Sequence, residues 1–141
     1  MKHHLALLDI SSFEKATLSL EEALIAYQKN PSDRFVRDAS IQRFEYTYEL
    51  SHKMLKRFLE MTEPNAEEVD QMSFPNLIRT GSERGLMLNG WDIWKIYRDA
   101  RNITSHTYNE KKAIQVCSVL PQFLIEVKHL ISKLTERLAA S

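Results

Sequence analysis

The chain has 141 residues, of which 43% are hydrophobic and 27% charged, so it is expected to form one globular domain over residues 1–141 and not a disordered chain. Its 19 basic and 19 acidic side chains cancel, which excludes coating of nucleic acid by bulk charge but leaves room for a local phosphate site. The single cysteine excludes an internal disulfide and indicates a reducing, cytoplasmic setting, while a poor signal peptide and no apolar run of roughly 20 residues predict no membrane contact.

The first two predicted helices carry apolar residues at three- and four-residue spacing. One covers residues 13–28, and Ser11 with Glu14 is typical of a capping box at its start. The second covers residues 33–61 and is the longest. Beside its main apolar stripe it carries three further apolar residues, which either pack under a third element or form a dimer face: Tyr46, Leu50 and Met61.

The middle of the chain combines turn residues with shorter helical segments. Residues 62–89 are predicted to be irregular, with a short helix over residues 74–79 and a flexible stretch at residues 81–85, which holds two of the three glycines. A further helix begins near Trp91, with Asn89 as its N-cap.

The last helix completes an all-helical architecture. It is expected over residues 108–138, with Thr107 and Glu110 as its capping box and a kink at Pro121, which lacks a backbone donor. No run of alternating apolar residues predicts a sheet. We therefore expect an all-α, antiparallel up-and-down four-helix bundle, with a fifth short helix in the irregular part.

Chemically active side chains concentrate in residues 101–108, RNITSHTY. Arg101 offers a permanent charge whose forked donors match phosphate, and His106 exchanges a proton near neutral pH. If the preceding helix ends near Thr104, His106 lies in a turn beside the start of the last helix, whose free N–H groups favour a phosphate. The pair would bind a phosphodiester, or cleave RNA without a metal, with His106 as base and Arg101 stabilising charge.

The same residues also have a purely structural interpretation. Arg101 would pair on the surface with Asp99 or Glu110, and His106 would be an ordinary turn residue. Trp94 would either stack on the Arg101 guanidinium or pack in the core.

Aromatic and acidic residues of the second helix form a weaker candidate site. Glu45 and Glu49 lie one turn apart and would contact a nucleotide or hold a metal, but a solvated face fits them better, and we predict no metal site. The neighbouring Phe44 and Tyr48 are better explained as core residues.

Two separated blocks carry a family resemblance. Arg101-x4-His106-x-Tyr108, with the polar Asn102 after the arginine, resembles the signature of the HEPN superfamily (higher eukaryotes and prokaryotes nucleotide-binding). The block IQRFEYTYELSHKMLK over residues 41–56 resembles the long helix of nucleotidyltransferase substrate-binding proteins. His52 stands where this resemblance leads us to expect a tryptophan, and we interpret it as surface variation.

The resemblance implies a homodimeric helical bundle and a partner, a minimal nucleotidyltransferase encoded by a neighbouring gene in a pair that resembles a toxin–antitoxin module. It implies that Arg101, Asn102 and His106 bind a nucleotide or phosphate group, without a cofactor. In an alternative function, Arg101 and His106 are the catalytic pair of a metal-independent ribonuclease, which the transferase neutralises by attaching AMP to Tyr108. The absence of an obvious basic surface favours the binding module over the enzyme.

Overall fold

The computed structural model describes residues 8–140, and in that range it contains α-helices and no strand, which confirms the all-α prediction. Our predictions for residues 1–7, including the poor signal peptide, lie outside the described residues. The six α-helices of the described part, with a 3₁₀ turn at Thr104–His106 before the last of them, are α1 (Ser11–Lys29), α2 (Arg34–Thr62), α3 (Ala66–Asp70), α4 (Phe74–Glu83), α5 (Trp91–Asn102) and α6 (Glu110–Ala140).

Two short helices lie in the part predicted to be irregular. α4 contains the short helix predicted over residues 74–79, whereas α3 was not predicted, so the described residues contain more helices than the four or five expected. Each has a side-chain cap that the pattern did not reveal. The Asn65 Oδ1 accepts from the backbone N–H of Glu68 at 3.2 Å at the start of α3, and the Ser73 Oγ accepts from the N–H of Asn76 at 3.3 Å at the start of α4.

The predicted flexible stretch at residues 81–85 is wrong, because its first glycine is a buried packing position within α4. A Cβ atom at Gly81 would approach the Met87 Sδ at 2.9 Å and the Leu55 Cδ1 at 3.2 Å. Glycine therefore allows α4 to lie close to α2. Gly85 follows the helix with a φ of 75°, a left-handed conformation in which glycine is unstrained.

Both predicted capping boxes are wrong, because neither Ser11 nor Thr107 is the N-cap of its helix. The N-cap of α1 is Ile10, which makes no side-chain capping bond. Ser11 is the first residue of α1, and its backbone N–H donates to the Asp9 Oδ1 at 2.9 Å. Thr107 lies before α6, where the Asn109 Oδ1 instead accepts from the N–H of Lys112 at 3.2 Å. The periodicity located both helices, but it did not decide which residue lies at the cap position of each.

Asn89 is not the N-cap of α5, because its side chain is used in the interior. Gly90 occupies the cap position, and the Asn89 Nδ2 donates to the buried carboxylate of Glu126 at 2.8 Å. The same carboxylate accepts from the backbone N–H groups of Leu88 at 3.0 Å and Asn89 at 3.2 Å, and from the Tyr97 Oη at 3.4 Å. Glu126 on α6 therefore fixes the loop that leads into α5.

An aromatic cluster joins α2, α5 and α6 at the centre of the core. The Phe123 ring lies 4.9 Å from that of Phe44, 5.3 Å from that of Tyr97 and 6.2 Å from that of Trp94. Phe44 and Tyr48 are buried, so their predicted core role is confirmed. Because α2 and α5 pack against the same ring, the carboxyl end of α5 is held beside the middle of α2.

The remaining apolar residues of α2 divide between the two expected roles. Leu50 packs against the core, whereas Tyr46 is 39% exposed and its hydroxyl lies 3.0 Å from the Ser19 Oγ of the antiparallel α1. Met61 lines a shallow surface cavity near Arg57. Leu50 is therefore explained by packing under other elements of the same chain. For Tyr46 and Met61, which reach the surface, the dimer face remains a prediction.

Among the described helices, α6 alone is long and apolar enough to cross a membrane by length and composition. Its apolar side faces the protein core, since Val116, Leu120, Phe123 and Val127 are fully buried. A core helix passes the same test, so this property is weak evidence for a membrane span. The helix continues through Pro121, and the kink expected there stays a prediction.

Candidate functional site

The predicted break between Arg101 and His106 is confirmed. α5 ends at Asn102, and the chain makes a 3₁₀ turn over Thr104–His106 before α6 begins at Glu110. Thr104 is buried and closes the turn, since its hydroxyl donates to the backbone carbonyl of Arg101 at 2.8 Å. The turn ends with His106 exposed at the surface.

The Arg101 guanidinium is held by two carboxylates of α2. Its Nε donates to the Glu49 Oε1 at 3.0 Å, and its Nη1 lies 3.6 Å from the Glu45 Oε2. Nη1 also donates to the Thr104 Oγ1 at 3.0 Å, which ties the side chain to its own turn. The arginine is about one-third exposed, so the guanidinium has a fixed orientation while remaining accessible to a ligand.

The surface partners proposed for Arg101 from the sequence are wrong. Glu110 lies 3.7 Å from the Nη1 of Arg37, and no ion pair joins Asp99 to Arg101 within residues 8–140. The actual partners lie more than 50 residues earlier in the chain, as an acidic pair one helical turn apart. That spacing was visible in the sequence, but only the packing of α2 against α5 shows what the pair contacts.

His106 and Tyr108 form the exposed half of the site. Their ring centroids lie 6.3 Å apart at an interplanar angle of 73°, and Tyr108 is 88% exposed. Asn102, the last residue of α5, is also exposed. No hydrogen bond joins Arg101 to His106 in the part of the chain that the structure describes, so the expected approach of the imidazole to the guanidinium stays a prediction.

His52 is not the surface variation that the sequence suggested. Its ring centroid lies 4.3 Å from that of Phe74, and the Phe74 ring meets Trp91 edge-on at 5.9 Å. Burial lowers the pKa of the His52 imidazole below its usual range. The neutral imidazole therefore packs here as an aromatic ring would.

Trp94 is a core residue and does not stack on Arg101. It is 1% exposed and meets the Tyr97 ring edge-on at 5.1 Å, so the core alternative is confirmed. The arginine that covers a tryptophan is Arg98, whose guanidinium carbon lies 5.7 Å from the centroid of Trp91.

The residues at the site offer phosphate chemistry more readily than metal chemistry. Within residues 8–140 no group of three or more histidine, cysteine, aspartate or glutamate side chains is arranged to hold a metal ion. Glu45 and Glu49, the candidate ligands, direct their carboxylates at Arg101. What the site offers a ligand is a guanidinium, an imidazole and a phenol.

The family comparison agrees with this geometry. The family model described as "Nucleotidyltransferase substrate binding protein like" matches residues 8–136, which include both sequence blocks and the whole site. The chain belongs to the nucleotidyltransferase substrate-binding protein family. The family resemblance inferred from the sequence is therefore confirmed.

One relative and two solved structures are similar to this chain over nearly their full length. A probable ribonuclease HepT from Haemophilus influenzae is 35% identical over 139 residues, covering 92% of this chain and 94% of the relative. A solved Haemophilus influenzae structure, described as the fold of a substrate binding domain of a nucleotidyltransferase, has a TM-score of 0.84 at 32% identity, covering 90% of this chain and 99% of that one. A Thermus thermophilus structure has a TM-score of 0.69 at 31% identity, covering 86% of this chain and 98% of that one.

Proposed function

We propose that the chain associates with a separately encoded minimal nucleotidyltransferase and binds a phosphate group at Arg101, Asn102 and His106. We further propose that, when it is not restrained by that partner, it cleaves RNA. The two activities would use one site, as in a two-gene toxin–antitoxin module. The observation that carries the proposal is a guanidinium held by hydrogen bonds at the end of α5, followed in the next turn of the chain by an exposed imidazole and an exposed phenol.

RNA cleavage is the reaction that these side chains support best. His106, as general base, takes the proton of a 2′-hydroxyl, and the 2′-oxygen attacks the adjacent phosphorus. The bond from phosphorus to the 5′-oxygen breaks, and the imidazolium returns its proton to that leaving oxygen. Arg101 stabilises the negative charge that builds up on the phosphoryl oxygens, and Asn102 adds a neutral hydrogen-bond donor. The products are a 2′,3′-cyclic phosphate and a 5′-hydroxyl.

The HepT relative supports this enzyme function over a role in binding alone, because it carries the ribonuclease name at 35% identity. The neutral charge of the whole chain had favoured the binding module. A single phosphate site requires only local charge, so the neutral balance does not oppose cleavage at this site.

Tyr108 is the proposed control point. Its phenol is 88% exposed and lies next to His106 in space, so a second protein can reach it. The transferase would move AMP from ATP to the Tyr108 Oη and release pyrophosphate. The added phosphate and nucleoside beside His106 would block access of RNA to the pair and add negative charge near it.

Intact-mass measurement tests the modification. After co-expression with the nucleotidyltransferase encoded by the neighbouring gene, the chain should gain about 329 Da for each AMP attached. Tyr108→Phe should remain unmodified, because it lacks the acceptor oxygen. Tyr46→Phe is the matched control, since Tyr46 is a partly exposed tyrosine of α2, and it should be modified like the natural chain. Unmodified natural chain, or an equal mass gain in Tyr108→Phe, contradicts this assignment.

The homodimer and the cytoplasmic location belong to the same proposal. Apolar side chains of α1 and α6 are exposed, among them Leu18, Ile25, Ile114 and Ile125, and burial of such side chains favours self-association.

The single cysteine is buried, and burial raises the pKa of the Cys117 thiol to about 11. A reduced, unreactive thiol of this kind suits a reducing compartment.

A further inference from the structure

The ion pairs of Arg101 leave the two N–H groups of its Nη2 open, and we call this side of the guanidinium its open edge. Nε and Nη1 are engaged by Glu49, Glu45 and Thr104, whereas Nη2 has no hydrogen-bond partner within residues 8–140. The donors that face α2 are therefore occupied by protein carboxylates. The open edge is where an anionic ligand would bind.

Two carboxylates against one guanidinium give the site an excess of negative charge. A phosphate that binds the open edge of Arg101 lies within several ångströms of Glu49, so the two anions repel each other while they share one cation. The glutamate side chains are 38% and 57% exposed, and solvent therefore weakens this repulsion without removing it.

We propose that Glu45 and Glu49 are positioning residues that hold the open edge of Arg101 outward and at the same time limit its affinity for phosphate. This inference rests on the proposed function only in taking Arg101 as the phosphate-binding group. Physically, the acidic pair fixes the orientation of the arginine, and its charge makes weakly held phosphate ligands leave readily. An arginine free of these carboxylates would bind anions less selectively and more tightly.

Substitution by glutamine separates charge from hydrogen bonding. Glu49→Gln keeps an oxygen that accepts from the Arg101 Nε, but it removes one negative charge from the site. We expect inorganic phosphate to bind this variant about three- to tenfold more tightly than the natural chain at low ionic strength. If Glu49 only held Arg101 in place, its substitution would leave the arginine disordered. Phosphate would then bind Glu49→Gln equally well or more weakly than the natural chain.

The matched control is Glu60→Gln, which removes the same charge from the same helix. Glu60 lies about 17 Å farther along α2 at 1.5 Å per residue, and it makes no ion pair with Arg101 in the described part of the chain. We expect its phosphate affinity to stay within about twofold of the natural value, because salt and water screen the charge at that distance.

The readout is the Nε–Hε NMR resonance of Arg101, assigned by its loss in Arg101→Ala and followed during titration with inorganic phosphate. Tighter binding in Glu49→Gln with an unchanged midpoint in Glu60→Gln supports the proposal. An equal or weaker midpoint in Glu49→Gln, an equal gain in Glu60→Gln, or no movement of the resonance in any variant overturns it.

RNA cleavage by the same proteins separates this inference from the proposed function. In one outcome, RNA cleavage depends on Arg101, but the natural chain and Glu49→Gln have equal midpoints in the phosphate titration. The acidic pair then does not limit affinity, while the function stands. In the other outcome, Glu49→Gln binds phosphate more tightly but no protein cleaves RNA. The ribonuclease assignment is then wrong, while the inference about Glu45 and Glu49 stands.

Discussion

Arg101→Ala and His106→Ala should each abolish the growth arrest that follows induction of this chain in cells lacking the neighbouring nucleotidyltransferase gene. Loss of a general base typically costs about 10²- to 10⁴-fold in rate, and loss of a preorganised charge that stabilises the transition state costs about 10²- to 10³-fold. Either loss should bring RNA cleavage below the level that stops growth. The measurement is the growth rate after induction, with the amount of each variant checked by immunoblot.

Two variants serve as controls for this experiment because they remove the same side-chain types elsewhere. His129→Ala changes a half-buried histidine of α6, and Arg57→Ala changes an exposed arginine of α2. Both should arrest growth as the natural chain does. Normal growth with the natural chain, or persistent arrest with both Arg101→Ala and His106→Ala, would mean that these residues are not a catalytic pair.

Glu126→Ala should destabilise the protein by about 3 kcal/mol, the largest loss of stability expected from removing one polar side chain here. The carboxylate is fully buried and accepts hydrogen bonds from the backbone of Leu88 and Asn89 and from two side chains. Its removal leaves the buried Tyr97 hydroxyl and the partly buried donors of Leu88 and Asn89 without their acceptor. Tyr97 depends on the same carboxylate, since the pKa of Tyr97 is raised first by burial and then by the Glu126 charge.

Urea denaturation measures this effect, with two further variants on the same helix. Glu136→Ala removes an exposed carboxylate that pairs with Lys133 at 3.6 Å, and it should change stability by less than about 0.5 kcal/mol. Glu126→Gln should lie between the two, because its amide presents a donor to groups that also donate. Equal unfolding free energies for Glu126→Ala and Glu136→Ala would contradict the anchoring role.

Much of the fold was predictable, because long helices have a strong periodic signal. The apolar stripes located α1, α2 and α6 to within a few residues, and the gap between the last two predicted helices located the break after α5. The caps at Ser11, Asn89 and Thr107 were wrong since periodicity does not fix the first residue of a helix to within one position. The N-caps of α1 and α5 are the apolar Ile10 and Gly90, and Asn109 caps α6. The flexibility predicted at Gly81 was wrong because close packing and chain flexibility both favour glycine, and the sequence does not distinguish the two causes.

The candidate site was predictable only in part, for a similar reason. From the sequence we grouped into one site only residues that are neighbours along the chain: Arg101, Asn102, His106 and Tyr108. It did not pair Arg101 with Glu45 and Glu49, because that contact depends on how α2 packs against α5 around Phe123. Helical periodicity shows which face of each helix is apolar, but not which polar groups meet across two helices.

Cleavage of a single-stranded RNA oligonucleotide by the purified, unmodified chain in excess EDTA tests the central claim most directly. With Arg101 and His106 as the catalytic pair, the RNA should be cut without a divalent cation and should carry 2′,3′-cyclic phosphate and 5′-hydroxyl ends. The same ends should be absent with His106→Ala. Intact RNA with the natural chain, cleavage that stops when EDTA is added, or unchanged cleavage by His106→Ala would contradict the account.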